Sequence, residues 1–382
     1  MEEQENNSII PIGSNALNRV SNSIAITDKI IKELSKPDLI EIWNSFDDFW
    51  KFVLYDNYVN KDLYDAEKWN IGYTSNKGTK KVFIEYQKSG VKEFNRIEIN
   101  KILEIKSFIY NKLWYYDNSY KDLGDFECVK NNFSRLSNLK YLTKVDIETD
   151  ELKSIHFLDK ITSLQNLRLR TDTVIDFEPL NNVRNLKVLN LEWNNSVNIT
   201  SITKFYNLSK LNLNRCKIND ISPISKLEKL TELEIIWNNL SDIKPLSNLV
   251  NLLKLNLIGN KFNNVEPLSS LIKLEDLDLR MLKIQDFRPL LNLHNLSELK
   301  ITYWDKIKLK TLKDMKSLNK LTIDLAENYS LDGLIHQKEI LEMGNLKYIK
   351  FVISGYEEVR GIYKIKDALP NCKIRIERDY TR

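Results

Sequence analysis

Cysteine is nearly absent from the chain, with only Cys128, Cys216 and Cys372 in 382 residues. Three widely separated thiols argue against a disulfide frame, and a reducing compartment, the cytoplasm, is the expected location. Histidine is equally scarce: His156, His294 and His336 each stand alone, with no metal-ligand spacing between any two. No metal and no cofactor is therefore expected. The 10 glycines never fall into G-x-x-x-x-G-K-[ST], G-x-G-x-x-G or G-x-S-x-G, and H-E-x-x-H is missing too. These absences remove phosphate-cradling loops, dinucleotide folds, nucleophile elbows and zinc-protease helices, and the chain reads as a non-enzyme with no catalytic residues. No apolar run reaches the roughly 18 residues of a membrane span. The opening MEEQENNSIIPIGSN is acidic and polar, unlike a secretory signal. With 57 basic and 53 acidic residues the net charge is only +4, which calls for neither nucleic acid nor a membrane surface.

What the chain has instead is a register. Leu142, Leu164, Leu186, Leu208, Leu230, Leu252, Leu274, Leu296 and Leu318 recur every 22 residues, and a looser unit starts at Leu346. The unit from Leu230 places apolar residues at Leu233, Ile235, Leu240, Ile243, Leu246 and Leu249, and the unit from Leu252 repeats them almost position for position. Leu233 and Ile235 obey the two-residue period of a strand, with Glu232, Glu234 and Ile236 pointing the other way. One such strand cannot hide its apolar row, so it stacks on its neighbours and shares their core. Asn238 and Asn260 fall where the chain leaves the strand and can bond the backbone of adjacent turns. Cys216, Leu282 and Trp304 interrupt that asparagine row. Asp-Ile-x-Pro-Leu then turns the chain, leaving room for 3₁₀ or single-turn pieces but not for a long helix.

The flanks differ in character. Residues 1–13 read as a flexible tail with an extended Ile9-Ile10-Pro11 piece. Asn15 to Leu34 carries an amphipathic helical stripe, which either packs on its own domain or docks another chain. A second helix is expected from Ser45, and a hairpin is expected where VFIEYQ and FNRIEIN flank Lys88-Ser89-Gly90-Val91. Residues 100–117 read as a helix or an irregular first repeat. Together, residues 14–120 are expected to form a mixed cap over the open edge of the repeats. A degenerate repeat at Leu123, Phe126, Cys128 and Asn131 opens a solenoid spanning 121–353. The insertion at roughly Glu327–Gly344 suggests a longer helix. Residues 354–382 suggest a C-terminal cap with a helix and a last strand, Lys373 to Glu377.

The candidate site is the outward face of the strands. The eighth position of successive units reads Thr149, Thr171, Trp193, Arg215, Trp237, Gly259, Met281 and Tyr303. Large residues at a position expected to be exposed suggest a contact surface, since Trp, Tyr, Met and Arg are enriched in interface centres. The candidate partner-binding residues are Trp193, Arg215, Trp237, Met281 and Tyr303, widened by Ile236 and Ile258 at the seventh position. The alternative is an apolar ridge without function. Asp276 and Asp278, paired on one strand face, read as solvated.

The unit L-x-x-L-x-L-x-x-N-x-I-x-D-I-x-P-L-x-x-L resembles the internalin-like class of bacterial leucine-rich-repeat proteins. That resemblance implies an open right-handed solenoid, with a parallel sheet on its concave face and short 3₁₀ turns on its convex face. It also implies a scaffold that binds a protein partner. The abundance of Asn, Lys and Ile points to an AT-rich bacterial genome. IWNSFDDFWKFVLYDNY is similar to the tryptophan-rich lead-in of intracellular bacterial proteins of this class. The competing reading is a secreted effector or adhesin recognising a host protein. A third reading, an enzyme housed in the aromatic N-terminal region, would require a pocket of converging polar side chains there.

Overall fold

A computed structural model describes residues 9–10, 94–95, 107–111, 136–137, 139, 141–149, 152, 154–171, 175–304, 309–325, 334, 338–354 and 362–379. The helices expected at Asn15 to Leu34 and from Ser45 lie outside these residues. So do the body of the expected cap, residues 123–131 and most of the insertion. The chain divides into two compact units, one of residues 1–173 and 179–185, the other of 174–178 and 186–382.

In the first unit, β1 (Ile9–Ile10) pairs antiparallel with β2 (Phe94–Asn95), so the extended piece of the expected tail is a bound strand. A parallel trio follows: β3 (Ser107–Asn111), β4 (Lys144–Glu148) and β5 (Asn166–Arg170). β3 settles the ambiguity over residues 100–117 in favour of a repeat strand. It also corrects the starting point of the repeats, because β4 pairs directly with 107–111 and no strand from the Leu123 segment comes between. Val145, Ile147, Leu167 and Leu169 are fully buried at alternate positions. On the other face Arg168 bridges Asp146 (2.9 Å) and Glu148 (3.2 Å), and Arg170 reaches Glu148 (2.8 Å).

The second unit repeats one coil. Its strands β6 (Val188–Asn190), β7 (Lys210–Asn212), β8 (Glu232–Glu234), β9 (Lys254–Asn256) and β10 (Asp276–Leu279) pair in parallel, each with the next. They continue into β11 (Glu298–Tyr303), β12 (Lys320–Leu325), β13 (Tyr348–Ser354) and β14 (Lys373–Asp379). The registers align identical template positions: Leu211 with Leu233, Leu233 with Leu255, Leu255 with Leu277, and Leu277 with Leu299. All five are buried, and every unit-starting leucine from Leu186 to Leu318 is fully inaccessible. The sheet is open: β6 and β14, the first and last strands of this unit, do not pair with each other.

The return path is built as the proline-bearing turn dictates. Ser222–Lys226, Lys244–Asn248, Glu266–Ser270 and Arg288–Asn292 are 3₁₀ helices with proline in the first turn. Each is preceded by a short polar side chain that accepts from the backbone N–H two residues on: Asp220 from Ser222, Asp242 from Lys244, Asn264 from Glu266 and Asp286 from Arg288 (2.8–2.9 Å). Ile224, Leu246, Leu268 and Leu290 close the core from that side at 0% exposure. At the C-terminal end, α1 (Ile362–Ala368) and β14 are the helix and last strand expected there. Within the insertion, Leu334 is helical and Lys338–Glu342 is a 3₁₀ segment; the rest of the expected helix lies outside the described residues.

Candidate functional site

The site begins where each strand ends. The Asn238 side-chain oxygen accepts from the N–H of Cys216 (3.1 Å) and Ile218 (2.8 Å), while its amide donates to the carbonyls of Leu213 (2.8 Å) and Ile236 (3.1 Å). One repeat on, Asn260 accepts from Leu240 and donates to Ile235 and Leu257. Where Cys216 replaces asparagine, its thiol donates to the Leu191 carbonyl at 2.9 Å, the same bond that the amides of Asn238 and Asn260 make. Burial pushes that thiol up to about 12, so Cys216 is a structural donor and not a nucleophile. Trp304 stands in the same row with its indole N–H buried and unpartnered among the described residues.

The residue just before this row is held in an unusual conformation. Trp193, Arg215, Trp237, Gly259 and Met281, five successive eighth positions, all have positive φ, between 52° and 68°. Only glycine adopts that region without steric penalty; other residues give up roughly 1–2 kcal/mol each. The penalty is tolerated because the backbone is tied on both sides. The N–H groups of Trp193, Arg215, Trp237 and Gly259 donate to carbonyls one repeat on (Asn214, Ile236, Ile258 and Arg280, 2.8–3.2 Å), and the buried asparagine row follows immediately. The Met281 N–H donates instead to the Thr302 hydroxyl.

This turn throws the side chains outward into a single line. Trp193 and Trp237 are 43% exposed and Met281 is 47% exposed. The Arg215 guanidinium lies 4.3 Å from the ring centre of Trp193 and 5.7 Å from that of Trp237, a cation–π stack spanning three strands. Beyond Trp237 the bare backbone of Gly259 supports its indole. A Cβ there would stand 2.6 Å from Trp237 Cε3 and 2.7 Å from Cδ2. Ile236 and Ile258 flank the line half-buried.

No protein-family model matches the chain, and no curated protein is detectably similar to it in sequence. Similarity appears among solved structures. An internalin (inlF) of Listeria monocytogenes superposes with a TM-score of 0.51 at 20% identity, over 76% of this chain and 91% of that one. The fold is a leucine-rich-repeat solenoid. Internalin C2 of the same organism matches at a TM-score of 0.43 and 23% identity, over 61% of this chain and 85% of that one. The functional domain of InlJ, also from Listeria monocytogenes, matches at 0.39 and 14% identity, over 65% and 61%.

Among the expected site residues, the repeats place Trp193, Arg215, Trp237, Met281, Ile236 and Ile258 on one outward surface. Tyr303 is the exception, only 6% exposed. Its strand is longer: β11 runs on to Tyr303 and pairs it with Leu325, so the pleat continues past the point where other repeats turn out. Tyr303 therefore falls on the buried side with Leu299 and Ile301. Thr149 and Thr171 are buried as well, next to the last residues of β4 and β5. The pairing of Asp276 and Asp278 also needs correction. Asp278 is buried and held by Arg280 through Nε and Nη2 (2.8–3.2 Å), while Asp276 binds Lys300 at 2.9 Å. Gly259 is a supporting residue that large-residue composition does not single out; its signal in the sequence is that a glycine interrupts a row of large residues.

Proposed function

We propose that the protein is a non-enzymatic scaffold that captures a protein partner on the line Trp193–Arg215–Trp237–Met281. One observation carries this reading. Four bulky side chains occupy left-handed backbone positions where glycine would be more stable, and three of them are more than 40% exposed. Strain retained in successive repeats, in favour of exposed indoles and a thioether, fits selection for a surface rather than for stability. Large exposed aromatics flanked by half-buried isoleucines are the composition of an interface centre. No helix among the described residues is long and apolar enough to cross a membrane. The cytoplasm remains the proposed compartment, supported by the free Cys216 and Cys372, and fractionation of the source cells tests it. The test of the scaffold reading is affinity capture with the wild-type chain and with a Trp193→Ala/Trp237→Ala chain of unchanged circular dichroism. A protein retained by the first and lost by the second supports the reading; equal retention refutes it.

A further inference from the structure

Arg215 differs from the other basic residues on the outward face of the second unit. Lys210 pairs with Glu232 (3.1 Å), Arg280 with Asp278 (2.8 Å) and Lys300 with Asp276 (2.9 Å). Among the described residues the Arg215 guanidinium has no hydrogen-bond acceptor and no carboxylate, only its two indole neighbours. Glu234 takes the amides of Asn214 (2.9 Å) and Asn212 (3.2 Å) instead. Stacking occupies the faces of the guanidinium plane and leaves its in-plane N–H donors, which form a fork matched to a carboxylate. A cation that is fixed in place, exposed and without an anion is half of an ion pair.

We propose that Arg215 receives the carboxylate of an Asp or Glu in an extended peptide segment whose neighbouring apolar side chains rest against Trp193 and Trp237. The inference rests on the reading of this line as a binding surface and adds the chemistry of what binds. Two strand spacings separate the two tryptophans by about 10 Å, which a peptide in the extended polyproline-II conformation, at roughly 3.1 Å per residue and three residues per turn, crosses between residues i and i+3 on one face. The acidic residue then falls at i+1 or i+2. Glu232 and Glu234 on the neighbouring strand oppose a polyanion, so a single carboxylate in an apolar context fits and a nucleic acid does not.

Selection of a random ten-residue peptide display library on the full chain tests this. Peptides with Asp or Glu between apolar residues three apart should be enriched. A fluorescein-labelled peptide of that sequence should bind roughly tenfold or more weakly to Arg215→Gln, as should its Asp→Asn or Glu→Gln form to the wild type. The two changes together should lose little more than either alone, and Arg215→Lys should fall in between. The peptide-side change needs no altered protein, so a misfolded variant cannot decide the outcome. Binding indifferent to Arg215→Gln and to the acidic residue, yet lost in Trp237→Ala, overturns this inference and leaves the scaffold reading standing. Peptides indifferent to both residues, or no enrichment at all, overturn both.

Discussion

Replacing Gly259 with alanine tests whether the exposed line is built as described. Two effects should add. The backbone at φ +68° has to hold a Cβ in the left-handed region, which costs about 1–2 kcal/mol. The new methyl also meets the Trp237 ring at 2.6 Å, well inside contact distance, so the indole has to lift. Overpacking of this kind costs roughly 1–3 kcal/mol in a core, and the low end applies because Trp237 is partly exposed and can move. The expected total is about 2–3 kcal/mol in urea unfolding. The same substitution in a Trp237→Ala background removes the clash and keeps the backbone penalty, so it should cost about 1–2 kcal/mol, a coupling of about 1 kcal/mol. Equal costs in the two backgrounds would show that the indole does not lie on Gly259. The reasoning about the ridge would then be wrong.

Other substitutions probe the core. Leu255→Ala, at a side chain 2% exposed, should destabilise by about 2–5 kcal/mol in the same assay. Asn238→Ala removes four hydrogen bonds and leaves the Cys216 and Ile218 N–H groups unsatisfied. A loss of about 2–4 kcal/mol is expected, and a neutral result would contradict the ladder. Cys216→Asn should restore that ladder and stabilise by about 1 kcal/mol. In the native protein Cys216 should resist iodoacetamide at pH 8, since burial pushes its thiol up to about 12, and peptide mapping should find it modified only after unfolding. Hydrogen bonds from Ser222 and Arg288 hold Asp220 and Asp286 below the usual carboxylate value. Their stabilisation is present above the unfolded value near pH 4 and fades as the pH falls through the lower folded value. Asp220→Asn/Asp286→Asn should therefore flatten the acid side of the stability profile and leave its slope near pH 7 unchanged.

The 22-residue leucine period carried most of the fold, because burial at a fixed spacing leaves one way to stack the strands. Leu233, Leu255 and Leu277 are buried as their alternation required, and proline at the turn led directly to 3₁₀ segments. The backbone of the eighth position was not legible. Left-handed conformation is read from Gly or Asn, and here Trp, Arg, Trp and Met adopt it because hydrogen bonds from the adjacent repeat impose it. Position counting therefore placed Tyr303 on the outward line after Met281, although β11 never makes the outward turn. Trp237 is 43% exposed, so the covered part of its side chain should make its truncation cost about 1–2 kcal/mol of stability. Arg215 was placed correctly between the indoles, since strand register alone fixes that neighbourhood.

The central claim is that the line from Trp193 to Met281 is retained for binding. The most direct test is the affinity of Trp237→Ala for the protein captured by the wild-type chain, measured at a temperature where circular dichroism shows both fully folded. Truncating a central aromatic anchor commonly costs 2 kcal/mol or more, so binding should weaken on the order of thirtyfold. An unchanged affinity in the folded variant would contradict the account.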